Sequence, residues 1–233
     1  WRNYNGSNWT TPIRDQKRCG SCVAFATNGA IESRMKIQLG NAALSPDLSE
    51  SHLFACGGAA CAVGWWPWLA FNFARDTGVV DEPCFPYVDR DVACAPCSDW
   101  QQRVTKLERW WSTGLVSLAK QAIAQYGPIE ATFTVYEDFI YYTDGVYRHA
   151  WGQKLGGHAV TVVGYNDAER YWIAKNSWGA GWGENGWFKI GYGECAFDDH
   201  FWVPELALGD STPPAVTNVR ESADPINKAG CPA

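Results

Sequence analysis

The texture of the sequence changes near its midpoint, and that change limits the fold more than any other feature. Residues 22–39, CVAFATNGAIESRMKIQL, place Val23, Phe25, Ala26, Ala30, Ile31, Met35 and Leu39 on a largely helical repeat, and Gly40-Asn41 supplies a stop. Residues 45–57 predict a second, shorter helix carrying Ser49 and His52, and residues 66–78 a third, closed by Gly78. Downstream the apolar runs turn β-branched and aromatic with partial alternation: IEATFTVYEDF at 129–139, HAVTVVGYN at 158–166, YWIAKNSW at 171–178 and GWFKIGYG at 186–193. Residues 166–170 suit a hairpin loop between two of these strands. Helices gathered before strands predict an α+β fold in two lobes, with a ligand site between them.

Length and charge narrow the function classes. A chain of 233 residues with 46% hydrophobic and 19% charged residues has ample material for a core. The formal net charge is −6 and no Lys/Arg run appears, which argues against a nucleic-acid partner. No apolar run reaches the roughly 20 residues of a membrane span. The start at Trp1 is that expected of a mature or trimmed form. After Leu208 periodicity fades, and the last residues read as an extended tail. Asn5-Gly6-Ser7 and Asn8-Trp9-Thr10 match the glycosylation pattern, a weak signal at this chain length.

Nine cysteines suggest an oxidising compartment, and an odd count leaves one thiol to explain. Cys19-Gly20-Ser21-Cys22 admits three readings. A redox pair needs a βαβ setting that is missing here. A tetrathiolate zinc site has a second motif in Cys94-Ala95-Pro96-Cys97, but 71 residues lie between Cys22 and Cys94, far beyond a zinc ribbon. The third reading splits the pair: Cys19 enters a disulfide and Cys22 remains a thiol at the first turn of a helix, where partial positive charge favours the thiolate. A nucleophilic thiol needs an imidazole. Of the four histidines, His158 opens an apolar strand after Gly156-Gly157. A lone strand histidine is usually structural, but Asn176 and Trp178 follow on the next strand. The amide can orient the ring, and the indole can keep water from that contact.

DQKRCGSCVAF, GGHAVTVVGYN and KNSWGAGWGENGW closely resemble, in order and separation, the three signature blocks of papain-like cysteine proteases. LSESHLFAC, WPWLAF, FPY and VPEL extend the similarity over roughly residues 9–206. The resemblance implies a papain-like two-lobed α+β fold, a helical left lobe and an antiparallel β-barrel-like right lobe with the cleft between. It divides the chain into a peptidase domain over 1–208 and a C-terminal extension over 209–233. Within the domain, the helical lobe covers about 10–108 and the β lobe about 109–204, with a strand crossing back after 204.

The resemblance also assigns roles. Cys22 would be the nucleophile, His158 its proton carrier, Asn176 the residue orienting His158, and Gln16 an oxyanion donor beside the Cys22 backbone N–H. Trp178 would shield the His158–Asn176 contact, and Gly20 and Trp182 would adjoin the substrate. Gly64 or Trp65 would pair its backbone with the substrate's second residue before the cut (P2). Trp66, Pro67, Thr132 and Gly156 would line the pocket for that residue, with His200 near its floor and Gly157 leaving little bulk before His158. The aromatic wall favours an apolar or aromatic P2 side chain, and His200 adds a polar or pH-sensitive floor. Cys19–Cys61 and Cys56–Cys94 match family pairs. Cys84 and Cys97 are left to pair locally, and Cys195, with no cysteine near residue 152, is left with Cys231. Departures from the family pattern are Val23 for tryptophan, Ala26 for serine, and CAVGWWPW at 61–68 with one glycine replaced and one residue added.

The function so implied is that of a cysteine endopeptidase without cofactor or metal. It would act on peptides and proteins as a monomer and bind its own pro-segment and protein inhibitors. Its place would be a secreted, periplasmic or lysosome- or vacuole-like compartment. An exopeptidase or peptide ligase on the same fold, or a catalytically silent binding relative, are the alternatives. The absence of a long insertion before residue 45 or after Cys97 favours the endopeptidase.

Overall fold

The computed structural model describes residues 1–206. Helix α1, Cys22–Gln38, is buried on nearly every face because it lies between the other helices and the sheet. Gly29 makes that close approach possible: a Cβ there would stand 2.6 Å from Thr161 Oγ1. Helix α2, Glu50–Cys56, begins later than the expected 45, since Ser49 Oγ accepts from the His52 N–H and Leu48 is held extended by a bridge to Asp81. Helix α3, Pro67–Asp76, has Pro67 in its first turn, where a missing N–H costs nothing.

The second half alternates more than its strand-rich texture suggests. Strand β1 (Leu107–Thr113) precedes helix α4 (Val116–Tyr126) and strand β2 (Ile129–Tyr136). A short helix α5 (Glu137–Ile140) ends the run expected to continue as strand to 139. Strands β3 (Val146–Tyr147), β4 (Lys154–Asn166), β5 (Tyr171–Lys175), β6 (Trp187–Gly191) and β7 (Phe201–Leu206) complete the sheet. Its order is β1-β7-β2-β4-β5-β6-β3. Every pairing is antiparallel except β3 with β6, a departure from a purely antiparallel lobe.

Two separate cores give the two lobes. Phe133, Phe139, Trp172, Phe188, Phe197 and Phe201 centre one on the sheet. Val23, Ile31, Leu53, Phe71 and Val79 centre the other on the helices, and Trp202 and Leu206 of β7 belong to it. Val23 and Ala26, the two departures from the family pattern, are buried members of this helical core. Cys19–Cys61, Cys56–Cys94 and Cys84–Cys97 are bridged, as expected. By loop entropy each is worth about 2–4 kcal/mol. Cys195, in contrast, is an unbonded thiol. Cys231 and the extension over 209–233 lie outside the described residues.

Candidate active site

Cys22 is the first residue of α1. Ser21 does not cap the helix with its side chain; its hydroxyl pairs with the Tyr87 hydroxyl at 2.8 Å. The positive end of a 17-residue helix therefore faces the sulfur without a competing side-chain acceptor. The sulfur reaches the β lobe, accepting from the Ala159 N–H at 3.3 Å. Cys22 is itself disulfide-bonded in this structure, which corrects the expectation that it is the odd thiol; among the described residues the unbonded cysteine is Cys195. Cys195 sits at a backbone φ of 54° in a short 3₁₀ turn, and burial pushes its thiol up to about 11, so it is a poor nucleophile.

His158 lies on β4, wholly buried. Its Nε2 pairs with Asn176 Oδ1 at 2.7 Å, and the Trp178 ring covers it at 4.8 Å between centroids. Its Nδ1 is buried without a hydrogen-bond partner. Burial pushes the imidazole down to about 4, with the Asn176 contact opposing. A bonded Cys22 sulfur carries no charge to raise it; a thiolate in that place would.

Gln16 is buried and fixed at both ends of its amide. Its Nε2 donates to the Cys19 carbonyl at 2.9 Å, and its Oε1 accepts from Ser177 Oγ at 2.6 Å. Its backbone N–H donates to the Ser177 carbonyl at 2.8 Å, Gly179 N–H donates to the Arg14 carbonyl at 3.0 Å, and Asp15 bridges Trp178. These contacts bring the segment before Cys22 against the segment after Asn176. Thus Gln16, Cys22, His158, Asn176 and Trp178, scattered over the sequence, meet where the lobes join.

The substrate-side expectations fare unevenly. Gly20 is tied by its N–H to the Cys61 carbonyl at 3.0 Å. Trp182 packs edge-on to Trp178 at 5.0 Å and donates its indole N–H to the Ile140 carbonyl at 3.1 Å. Gly64 takes φ +78° and donates its N–H to the Ala60 carbonyl at 2.9 Å, so that donor is already engaged. The Trp65 side chain is core, packed on Phe54 and so close to Gly57 that a Cβ there would stand 2.3 Å away. Trp66 caps α3 half-buried and Pro67 is buried beside it. Thr132 stands opposite Ala159, and Gly156 and Gly157 opposite Val135 and Thr134. His200 is half-buried against Trp202 at 4.9 Å.

Sequence reasoning missed the polar chamber behind Asn176. Glu32, Glu50, Lys175 and Asn176 line a small cavity there. Glu32 accepts from the Leu48 N–H at 2.8 Å, and Lys175 Nζ donates to Thr11 Oγ1 at 2.9 Å. Burial holds Glu50 well above the usual carboxylate range, and Lys175 is lowered by burial against the pull of Glu32. Asn176 Nδ2 is buried without a hydrogen-bond partner.

Residues 1–204 match the sequence model of the papain family cysteine proteases. The chain belongs to that family. It is 38% identical over 76% of its length to cathepsin B-like CP3 of Giardia intestinalis, covering 63% of that protein. It is 36% identical over 83% of its length to pro-cathepsin H of Mus musculus, covering 60% of it. The solved digestive procathepsin L2 proteinase from Tenebrio molitor larval midgut superposes with a TM-score of 0.75 at 31% identity, over 85% of this chain and 65% of that one. The chain thus spans 60–65% of the length of these relatives. The papain family's two-lobed α+β fold agrees with the two cores described above.

Proposed function

We propose that the reduced protein is an endopeptidase that cuts peptide bonds through Cys22. The observation that carries this reading is the Cys22 sulfur resting on the Ala159 N–H, next to a buried His158 whose far nitrogen is held by Asn176 under Trp178. In the reduced state the Cys22 proton moves to His158 Nδ1, giving a thiolate and an imidazolium. The sulfur attacks the peptide carbonyl, and the oxyanion is met by the Cys22 backbone N–H and the second N–H of Gln16 Nε2. Collapse breaks the C–N bond, and His158 gives its proton to the leaving amine. Water, deprotonated by His158, then hydrolyses the thioester and returns the thiol. Asn176 fixes the ring through both steps, and Trp178 excludes water from their contact.

Trp66, Pro67, Thr132 and Gly156, with His200 at the floor, form the P2 pocket in this reading, which favours apolar or aromatic side chains. The backbone partner of P2 falls to Trp65, since the Gly64 N–H is engaged with Ala60. The peptidase domain covers 1–208, divided as the family pattern implies. Three bridged cysteine pairs suit an oxidising route, through secretion, a periplasm or a lysosome- or vacuole-like compartment. Its partners are peptide substrates, its own pro-segment and protein inhibitors, and it acts as a monomer.

The test is labelling with an epoxide or iodoacetamide reagent at acid pH after mild reduction, followed by peptide mapping and cleavage of a peptide library. Modification at Cys22 with loss of cleavage is expected. Labelling at Cys195 alone, with cleavage retained, overturns the reading. Library products also separate internal cleavage from end trimming and from ligation.

A further inference from the structure

Helix α1 carries Cys22 and strand β4 carries His158, so the distance between thiol and imidazole depends on how the helix is registered on the sheet. Two polar contacts across that interface come from neighbouring strands. Thr161 Oγ1 of β4 donates to the Ala26 carbonyl at 3.0 Å. Thr27 Oγ1 of α1 donates to Glu130 Oε2 of β2 at 2.6 Å. Glu130 and Thr27 are completely buried. Glu130 stands opposite Thr161 of β4 and Trp202 of β7. Its second oxygen, Oε1, is buried with no hydrogen-bond partner.

The charged side chains on the elements packed against Glu130 are committed elsewhere. On α1, Glu32 faces Thr11 and the Leu48 N–H, Arg34 donates to the Tyr126 carbonyl at 2.6 Å, and Lys36 donates to the Thr10 carbonyl at 2.7 Å. On β7, Glu205 binds Arg109 and the Trp111 indole. On β4, Lys154 is exposed at the start of the strand. A buried carboxylate with one donor and no cation is expensive; the uncharged acid, even with its second oxygen unpartnered, costs far less. Burial accordingly holds Glu130 well above the usual carboxylate range, with the Thr27 hydrogen bond opposing.

We propose that Glu130 is a positioning residue: as an uncharged acid it latches the Cys22 helix to the His158 sheet through Thr27, and its ionisation at higher pH leaves an unpaired charge in that interface, which loosens the packing to let water in even though the Thr27 hydroxyl still donates to it. The sign follows from linkage. A group whose folded value is raised gives stability that is complete below its unfolded value and lost as pH rises through the folded one. The kinetic part of this inference rests on the peptidase reading; the latch itself does not.

The test compares wild type with Glu130→Gln, which keeps an oxygen for Thr27 but cannot ionise. At acid pH the variant keeps kcat/KM within about twofold, and the alkaline fall of both kcat/KM and Tm moves up by about one pH unit or more. Glu50, also raised, is unchanged in both proteins, so the difference isolates Glu130. Identical alkaline limbs overturn the proposal. If Glu130→Gln fails to fold, infrared titration of Cys22→Ala and of Cys22→Ala with Thr27→Val decides the matter. A buried carboxylic-acid band that shifts its midpoint on loss of the Thr27 hydroxyl supports the latch, and a band indifferent to Thr27 refutes it. Absence of peptidase activity in every form would sink the peptidase reading while the melting and infrared outcomes still stand.

Discussion

Ser177 offers a direct test of how the proposed oxyanion donor is held. Its Oγ donates to Gln16 Oε1 at 2.6 Å, both residues are buried, and the other end of the Gln16 amide donates to the Cys19 carbonyl at 2.9 Å. In Ser177→Ala the Gln16 oxygen loses its donor inside the protein, which costs about 1–3 kcal/mol of stability. For a chain of this length that is a fall in Tm of about 2–4 °C per kcal/mol. An amide no longer fixed at its oxygen points its second N–H less often at the developing charge. Loss of about 1 kcal/mol from the transition state lowers kcat about fivefold, with KM nearly unchanged. Gln16→Ala removes the donor altogether and costs about 100- to 1,000-fold in kcat. Because Ser177 acts through Gln16, its substitution in the Gln16→Ala background changes kcat by less than about twofold. The assay is kcat and KM on a fluorogenic peptide after reduction, with melting curves on the same samples. Full additivity of the two substitutions in kcat would refute the argument, because Ser177 would then act on the reaction by another route.

Three further outcomes follow from geometry already described. In Cys22→Ala, His158 titrates near 4, and adding Trp178→Ala raises that value by readmitting water to the ring, as read by NMR. Burial likewise pushes His52 down to about 4, so stability is complete above the ordinary histidine value and falls as pH drops toward 4; His52→Gln, which keeps an acceptor for the Val80 N–H, flattens that part of the Tm profile. Replacing Cys84 and Cys97 by serine opens a loop of 13 residues and costs about 3 kcal/mol, measured as a drop in the denaturant midpoint without loss of the Cys22 label.

The elements that were legible in sequence are those whose own pattern decides them. The helix at 22–39 and the strands after 158 carry runs long enough to outvote their neighbours. Helix α4 went unread although Ala119, Ala122, Ile123 and Tyr126, its buried residues, fall at helical spacing. The early start expected for α2 failed because Ser49 caps a helix whose preceding residues pair with Asp81, a partner 33 positions from Leu48. The identity of the odd thiol was misread for a related reason. Cysteine parity says that one is left over, but not which one, and among the described residues the unbonded one is Cys195, in a positive-φ turn. Pairings carried by the family resemblance, such as Cys19–Cys61, came through intact. The buried acids Glu32, Glu50 and Glu130 look like surface residues in a linear reading. Each is buried by partners far along the chain, as Glu130 is by Thr27.

The pairing of residues 14–16 with 177–179 has a consequence for the order in which the molecule is built. Gln16 is bonded to Ser177 across 161 positions by side chain, and the same two residues are joined by backbone. Contacts of such separation close late, because the chain must first give up the freedom of everything between them. During synthesis the N-terminal segment leaves the ribosome long before its partner does. The helix bearing Cys22 can therefore form early, yet the Gln16 amide stays unset until the fifth strand and the turn after it have been made. Nascent chains cut short before residue 177 will hold a cysteine at a helix start and nothing to aim it with.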